Sequence, residues 1–103
     1  MSYDMWFTCP CCERTLEEVG ITYNHSATYT KVYGNLGVRS LYGKPAPEVF
    51  KYAMQGARSI MSIEGAEEYE EGWEPTKRNA MLALLRLATA AAKCPDNAIL
   101  TGD

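Results

Sequence analysis

Asn79-Ala80-Met81-Leu82-Ala83-Leu84-Leu85-Arg86-Leu87-Ala88-Thr89-Ala90-Ala91-Ala92 is the longest nearly uncharged stretch of this chain, interrupted only by Arg86. Alanine, leucine and methionine are strong helix formers, and the stretch is shorter than the roughly 20 apolar residues that span a bilayer. It therefore reads as a buried helix. The helix should start near Pro75 or Thr76 and run to about Lys93, because Pro95 cannot continue it. Being apolar nearly all round, it is expected to form the spine of the domain.

Working outward from that spine, the preceding residues from Glu64 to Glu74 hold six glutamates and two glycines without apolar periodicity, the pattern of an exposed acidic loop ending at Trp73. Upstream of it, Pro47 suits a first helical turn. Val49, Phe50, Ala53, Met54, Ala57, Ile60 and Met61 then recur on one stripe, predicting the most regular amphipathic helix of the chain. Earlier still, Ser26 can cap a helix whose face carries Tyr29, Val32, Tyr33 and Leu36, with Gly37 as its stop. At the N-terminus, Tyr3, Met5 and Phe7 alternate with Asp4, Trp6 and Thr8, which predicts a strand over 2–8. Cys9-Pro10 to Glu13 supplies a turn, and Arg14 to Val19 returns as the second arm of a hairpin ending at Gly20. Ala98 to Thr101 closes the chain as a short strand, with the first strand as its expected partner. The expected fold is α+β: one domain over 1–103, with a small antiparallel sheet of two to three strands packed against three helices.

The sequence has 103 residues, 47% of them hydrophobic and 22% charged, which is the composition of one globular domain. A net charge of -3 and the lack of a basic patch argue against general affinity for nucleic acid. Met-Ser-Tyr-Asp offers neither a basic region nor an apolar core for a secretory signal, so a reducing cytoplasm is expected, with no membrane association. In that setting four cysteines favour free thiols or metal over disulfides, and the sequon at Asn24 is silent.

Three of those cysteines, Cys9, Cys11 and Cys12, lie at the expected hairpin tip. Thiolates at C-x-x-C spacing on a tight turn form half of a zinc knuckle. Completing four ligands would draw on one of Cys9, Cys11 or Cys12 again plus Cys94 or His25, with Cys9, Cys12, His25 and Cys94 the expected candidates, so zinc is the one cofactor the sequence leaves room for. The competing reading treats the cysteines as small buried hydrophobes. Cys12 or Cys94 with His25, the single histidine, supplies the residue types of a thiol nucleophile, but no acid partner or oxyanion motif accompanies them and no enzyme is expected.

The segments Ser2-Tyr3-Asp4, Ile21-Thr22-Tyr23-Asn24-His25-Ser26, Gly37-Val38-Arg39-Ser40-Leu41-Tyr42-Gly43 and Gly72-Trp73-Glu74-Pro75-Thr76 with Asn79-Ala80 resemble a group of small uncharacterised proteins of bacteriophages and prophages. That group begins M-S-Y-D and continues through T-Y-N, G-[IV]-R-x-[IL]-Y-G and W-x-x-T-x-x-N-A. The likeness covers nearly the whole chain, whereas the cysteines stand where that group has polar turn residues. It implies a non-enzymatic phage protein that binds a host protein or sequesters a nucleotide-like signal, counteracting host defence, and a homo-oligomer would suit such a sponge. Tyr23, Asn24, Arg39, Tyr42, Trp73, Thr76 and Asn79 match the motifs, and their types suit a ligand surface: Arg for phosphate, aromatics for stacking, amides for hydrogen bonds. The same residues also suit helix ends, with Asn24, Thr76 and Asn79 as caps and Trp73 as a staple. A small zinc-stabilised module built on Cys9 and Cys12 is the alternative.

Overall fold

The computed structural model describes residues 2–22, 25–62 and 77–103. Strands β1 (Ser2–Thr8) and β2 (Thr15–Thr22) form a hairpin, followed by α1 (Ser26–Tyr33), a 3-10 turn at Gly37–Leu41, α2 (Ala46–Met61), α3 (Lys77–Ala92) and β3 (Ile99–Gly102). The sheet has the order β2-β1-β3 and is antiparallel throughout. This is an α+β fold.

The alternation in β1 places Tyr3, Met5 and Phe7 in the core and leaves Asp4 exposed. Phe7 lies opposite Leu100 of β3, which is also buried. The N-terminal strand therefore becomes the centre of the sheet because it has an apolar neighbour on both sides. β2 runs on past Gly20 to Thr22, since Gly20 to Thr22 continue the ladder with Asp4, Tyr3 and Ser2. Near the tip, Phe7 pairs with Glu17 but Thr8 with Thr15, so Leu16 is an extra residue that bends the hairpin.

The helices depart from expectation in instructive ways. α1 ends at Tyr33, where Gly34 takes a φ of 91° and donates its N–H to the Thr30 carbonyl at 3.0 Å. Gly34, not Gly37, is the stop. Leu36 consequently leaves the helical face and is 67% exposed. Ser26 occupies the first helical position, and His25 stands at the cap without a side-chain capping bond.

In α2 the buried stripe is Ala46, Val49, Ala53, Gly56, Ala57 and Ile60, whereas Phe50, Met54 and Met61 are exposed. The face is rotated because Gly56 is a contact point: a Cβ there would collide with the Tyr33 ring and press on Leu84. Its absence lets Tyr33 donate its hydroxyl to the Tyr52 carbonyl at 2.8 Å. Hydrophobicity alone ranks Phe and Met above Gly, and the close helix approach reverses that order.

α3 buries Ala80, Ala83, Leu84, Leu87, Ala88, Ala90 and Ala91 against α2, α1 and β2 while Leu82, Arg86 and Thr89 face out. The spine is therefore two-sided. Tyr29, fully buried, ties α1 to it by donating its hydroxyl to the Ala80 carbonyl at 3.0 Å. Among the described residues, no helix is long and apolar enough to cross a membrane. The acidic stretch from Glu64 to Glu74 lies outside the described residues.

Candidate functional site

Between the hairpin arms the chain turns sharply. Cys9 donates its N–H to the Arg14 carbonyl at 2.9 Å, and Glu13, at a left-handed φ of 57°, donates to the Cys9 carbonyl at 2.7 Å. This loop brings the sulfurs of Cys9, Cys11 and Cys12 within 4.8 Å of one another. Cys9 and Cys11 are closest, with Sγ atoms 2.8 Å apart. Cys9 is half-buried, and Cys11 and Cys12 are exposed.

The three thiols are not chemically equivalent. A hydrogen bond from the Cys11 thiol, reinforced by the Cys11 backbone, lowers the Cys9 pKa to about 7. The reciprocal bond, together with the charges of Cys12 and Cys9, pushes Cys11 up to about 11. The pair thus holds one proton between two sulfurs near neutral pH, with the thiolate character on Cys9. A metal ion can take that proton's place. Sulfurs bound to one zinc at about 2.3 Å in tetrahedral geometry lie roughly 3.7 Å apart, so the close pair must open slightly and Cys12 draw in. Cys9, Cys11 and Cys12 form a group that could hold a metal ion.

The other two expected ligands stand apart from this group. Ser2 pairs with Thr22 at the open end of the hairpin, so His25 lies at the opposite end from the tip, roughly 20 Å along β1 at strand rise. Cys94, just past α3, has its Sγ on the Ala90 carbonyl at 3.3 Å. Burial, and then the charge of Glu17, raises its pKa. Cys11, by contrast, lies within the group: C-x-x-C spacing singles out Cys9 and Cys12, and the loop geometry brings the third sulfur of the cluster beside them.

The motif residues are distributed over several places. Arg39 holds its guanidinium 5.0 Å from the centre of the Tyr3 ring and donates from Nε to the Asp103 carbonyl at 3.1 Å. Tyr42 closes over Gly102, where a Cβ would strike its ring. Both side chains therefore brace the C-terminal strand. Asn79 instead lines a cleft of about 460 Å³ between the end of β2 and α3, with Thr22, His25 and Arg86. Tyr23, Asn24, Trp73 and Thr76 lie outside the described residues.

His25 is the most unexpected member of that cleft. It is 2% exposed, the one buried polar side chain among the described residues, and its Nδ1 has no hydrogen-bond partner. Its ring meets Tyr29 edge-on at 5.9 Å. Burial, and secondarily the charge of Arg86, holds its pKa below the ordinary 6.5. An unsatisfied buried polar atom costs about 1–3 kcal/mol. Arg86 was visible in the sequence as the single charge within the apolar run, but nothing there linked it to His25.

Against known proteins, no family model, no curated protein and no solved structure matches this chain.

Proposed function

We propose that this chain is a small non-catalytic binding module whose hairpin tip holds one thiophilic metal ion, zinc foremost, between Cys9, Cys11 and Cys12. The observation behind this reading is the convergence of three sulfurs within 4.8 Å on a loop whose backbone hydrogen bonds already fix the turn. A thiol near pKa 7 favours it, because metal ligation requires thiolate and Cys9 gives up its proton at little cost near neutral pH. Three protein ligands leave a fourth tetrahedral position for water or for a donor from a binding partner.

Metal analysis of protein purified under reductant tests this directly. One equivalent of zinc is expected, along with a sulfur-to-metal charge-transfer band when cobalt replaces it. Cys9→Ser, Cys11→Ser and Cys12→Ser should each weaken binding, and Cys94→Ser and His25→Gln should leave it unchanged. Undiminished metal in the triple serine variant would refute the site. Loss on Cys94→Ser would restore Cys94 as a ligand.

A further inference from the structure

The His25 cleft sits at the other end of the hairpin, and its chemistry is independent of the thiols. Its lining has Thr22 from β2, His25 at the entrance to α1, and Asn79 and Arg86 from α3, with Gly20 leaving room on the β2 side. Among the described residues, no carboxylate lines it. All four polar residues can donate hydrogen bonds, and Arg86, exposed at the rim, adds a permanent positive charge. Such a set matches a group with several acceptor oxygens and negative charge.

Burial of His25 points the same way. A histidine on an exposed surface needs no explanation, but His25 lines this cleft while being 2% exposed, and its buried Nδ1 has no hydrogen-bond partner. The imidazole is packed against Tyr29, whose hydroxyl is fixed to the Ala80 carbonyl, so the ring is supported by the core rather than loose in the opening. A volume of about 460 Å³ is within the range of small-ligand sites.

We propose that this cleft binds a phosphate-type oxyanion, with Arg86 supplying charge and His25, Asn79 and Thr22 supplying directional hydrogen bonds. The anion arrives either free or as the terminal group of a phosphomonoester; the shared chemistry is the oxyanion. The neighbouring groove of about 700 Å³ along β2 and α3, which shares Gly20, Leu82 and Arg86 and carries Glu17 and Glu18 on its β2 side, gives an uncharged organic remainder somewhere to lie. Lys93 belongs to that groove and not to the cleft.

Because His25 is the only histidine, its ring resonances report on the site without assignment ambiguity. The experiment titrates the full chain with inorganic phosphate and, separately, with glycerol 2-phosphate, each against sodium chloride at matched ionic strength. Saturable movement of the His25 signals with phosphate and not with chloride is expected. Arg86→Gln, a surface change that leaves the core intact, should weaken binding by about tenfold or more, and Lys93→Gln should change it less than twofold. Tighter binding of glycerol 2-phosphate identifies a phosphomonoester as the ligand, and equal binding identifies the free anion; both support the site. A His25 signal that does not move, or equal weakening by Arg86→Gln and Lys93→Gln, would overturn it, the latter because diffuse positive charge would then suffice.

Discussion

The two ends of the β1–β2 hairpin carry opposite solutions to the placement of reactive side chains. At the tip, three thiols stand in or near solvent on a backbone-bonded loop, and the acidities of Cys9 and Cys11 are set chiefly by each other. At the open end, a single imidazole is sunk into the protein, and its acidity is set by burial. The tip is local chemistry: four consecutive residues and one turn suffice. The cleft is assembled from β2, the start of α1 and α3, and exists only when all three are docked. The difference teaches that exposed clusters depend on sequence neighbours, whereas a buried unpaired group depends on the whole fold.

Removing the strand that joins the two ends is the most severe way to break the comparison. Phe7→Ala deletes a fully buried ring between β2 and β3, and should cost about 3–5 kcal/mol in urea unfolding. The His25 environment, read from its ring resonances, should be lost with the fold, while the tip thiols should converge on ordinary cysteine reactivity, Cys9 falling and Cys11 rising at neutral pH.

Acid sharpens it next. The folded imidazole holds its proton less tightly than the unfolded one, so below the ordinary 6.5 the unfolded chain binds more protons. Stability is therefore full above that value and declines as pH falls through it. The urea midpoint should drop over this window in the wild-type chain and lose that component in His25→Gln. An identical pH profile in both would show that His25 titrates normally.

A smaller contrast lies within the tip. Alkylation of Cys9 by iodoacetamide should rise through a midpoint of about 7, whereas Cys11 should respond only toward about 11. Peptide mass spectrometry resolves the two. In Cys11→Ser the Cys9 midpoint should move upward, because the strongest hydrogen bond to its thiolate is weakened. Equal midpoints in the wild-type chain would remove the proton-sharing pair.

The smallest effect checks the face that positions both regions. Met61→Ala on exposed α2 surface should stay within about 0.5 kcal/mol, while the adjacent Ile60→Ala should cost about 2–5 kcal/mol. The apolar stripe drawn from hydrophobicity treats these two residues alike; packing separates them.

Much of the architecture was legible because its signals are local. The period-two aromatics of β1, the Pro47 start of α2 and the Pro95 stop after α3 each act within a few residues. The closing strand at Ala98 to Thr101 and its pairing with β1 also followed, since a second apolar edge needs a partner. Boundaries failed at glycines, whose role depends on backbone conformation, strand pairing or close neighbours rather than on a side chain. Gly34 ends α1, Gly20 stays inside β2, and Gly56 becomes core because Tyr33 and Leu84 close on it. No residue-by-residue scale contains that information.

Sequence by itself determined the α+β class, the central place of β1 and the gathering of thiols at a turn, because secondary-structure periodicity and cysteine spacing are properties of short segments. Tertiary structure alone decided that Cys11 rather than His25 or Cys94 joins the sulfur group, that Arg39 and Tyr42 brace β3, and that His25 is buried beside Arg86. Those outcomes depend on distances between segments far apart in the chain, which are fixed only once the helices have docked on the sheet and excluded water from between them.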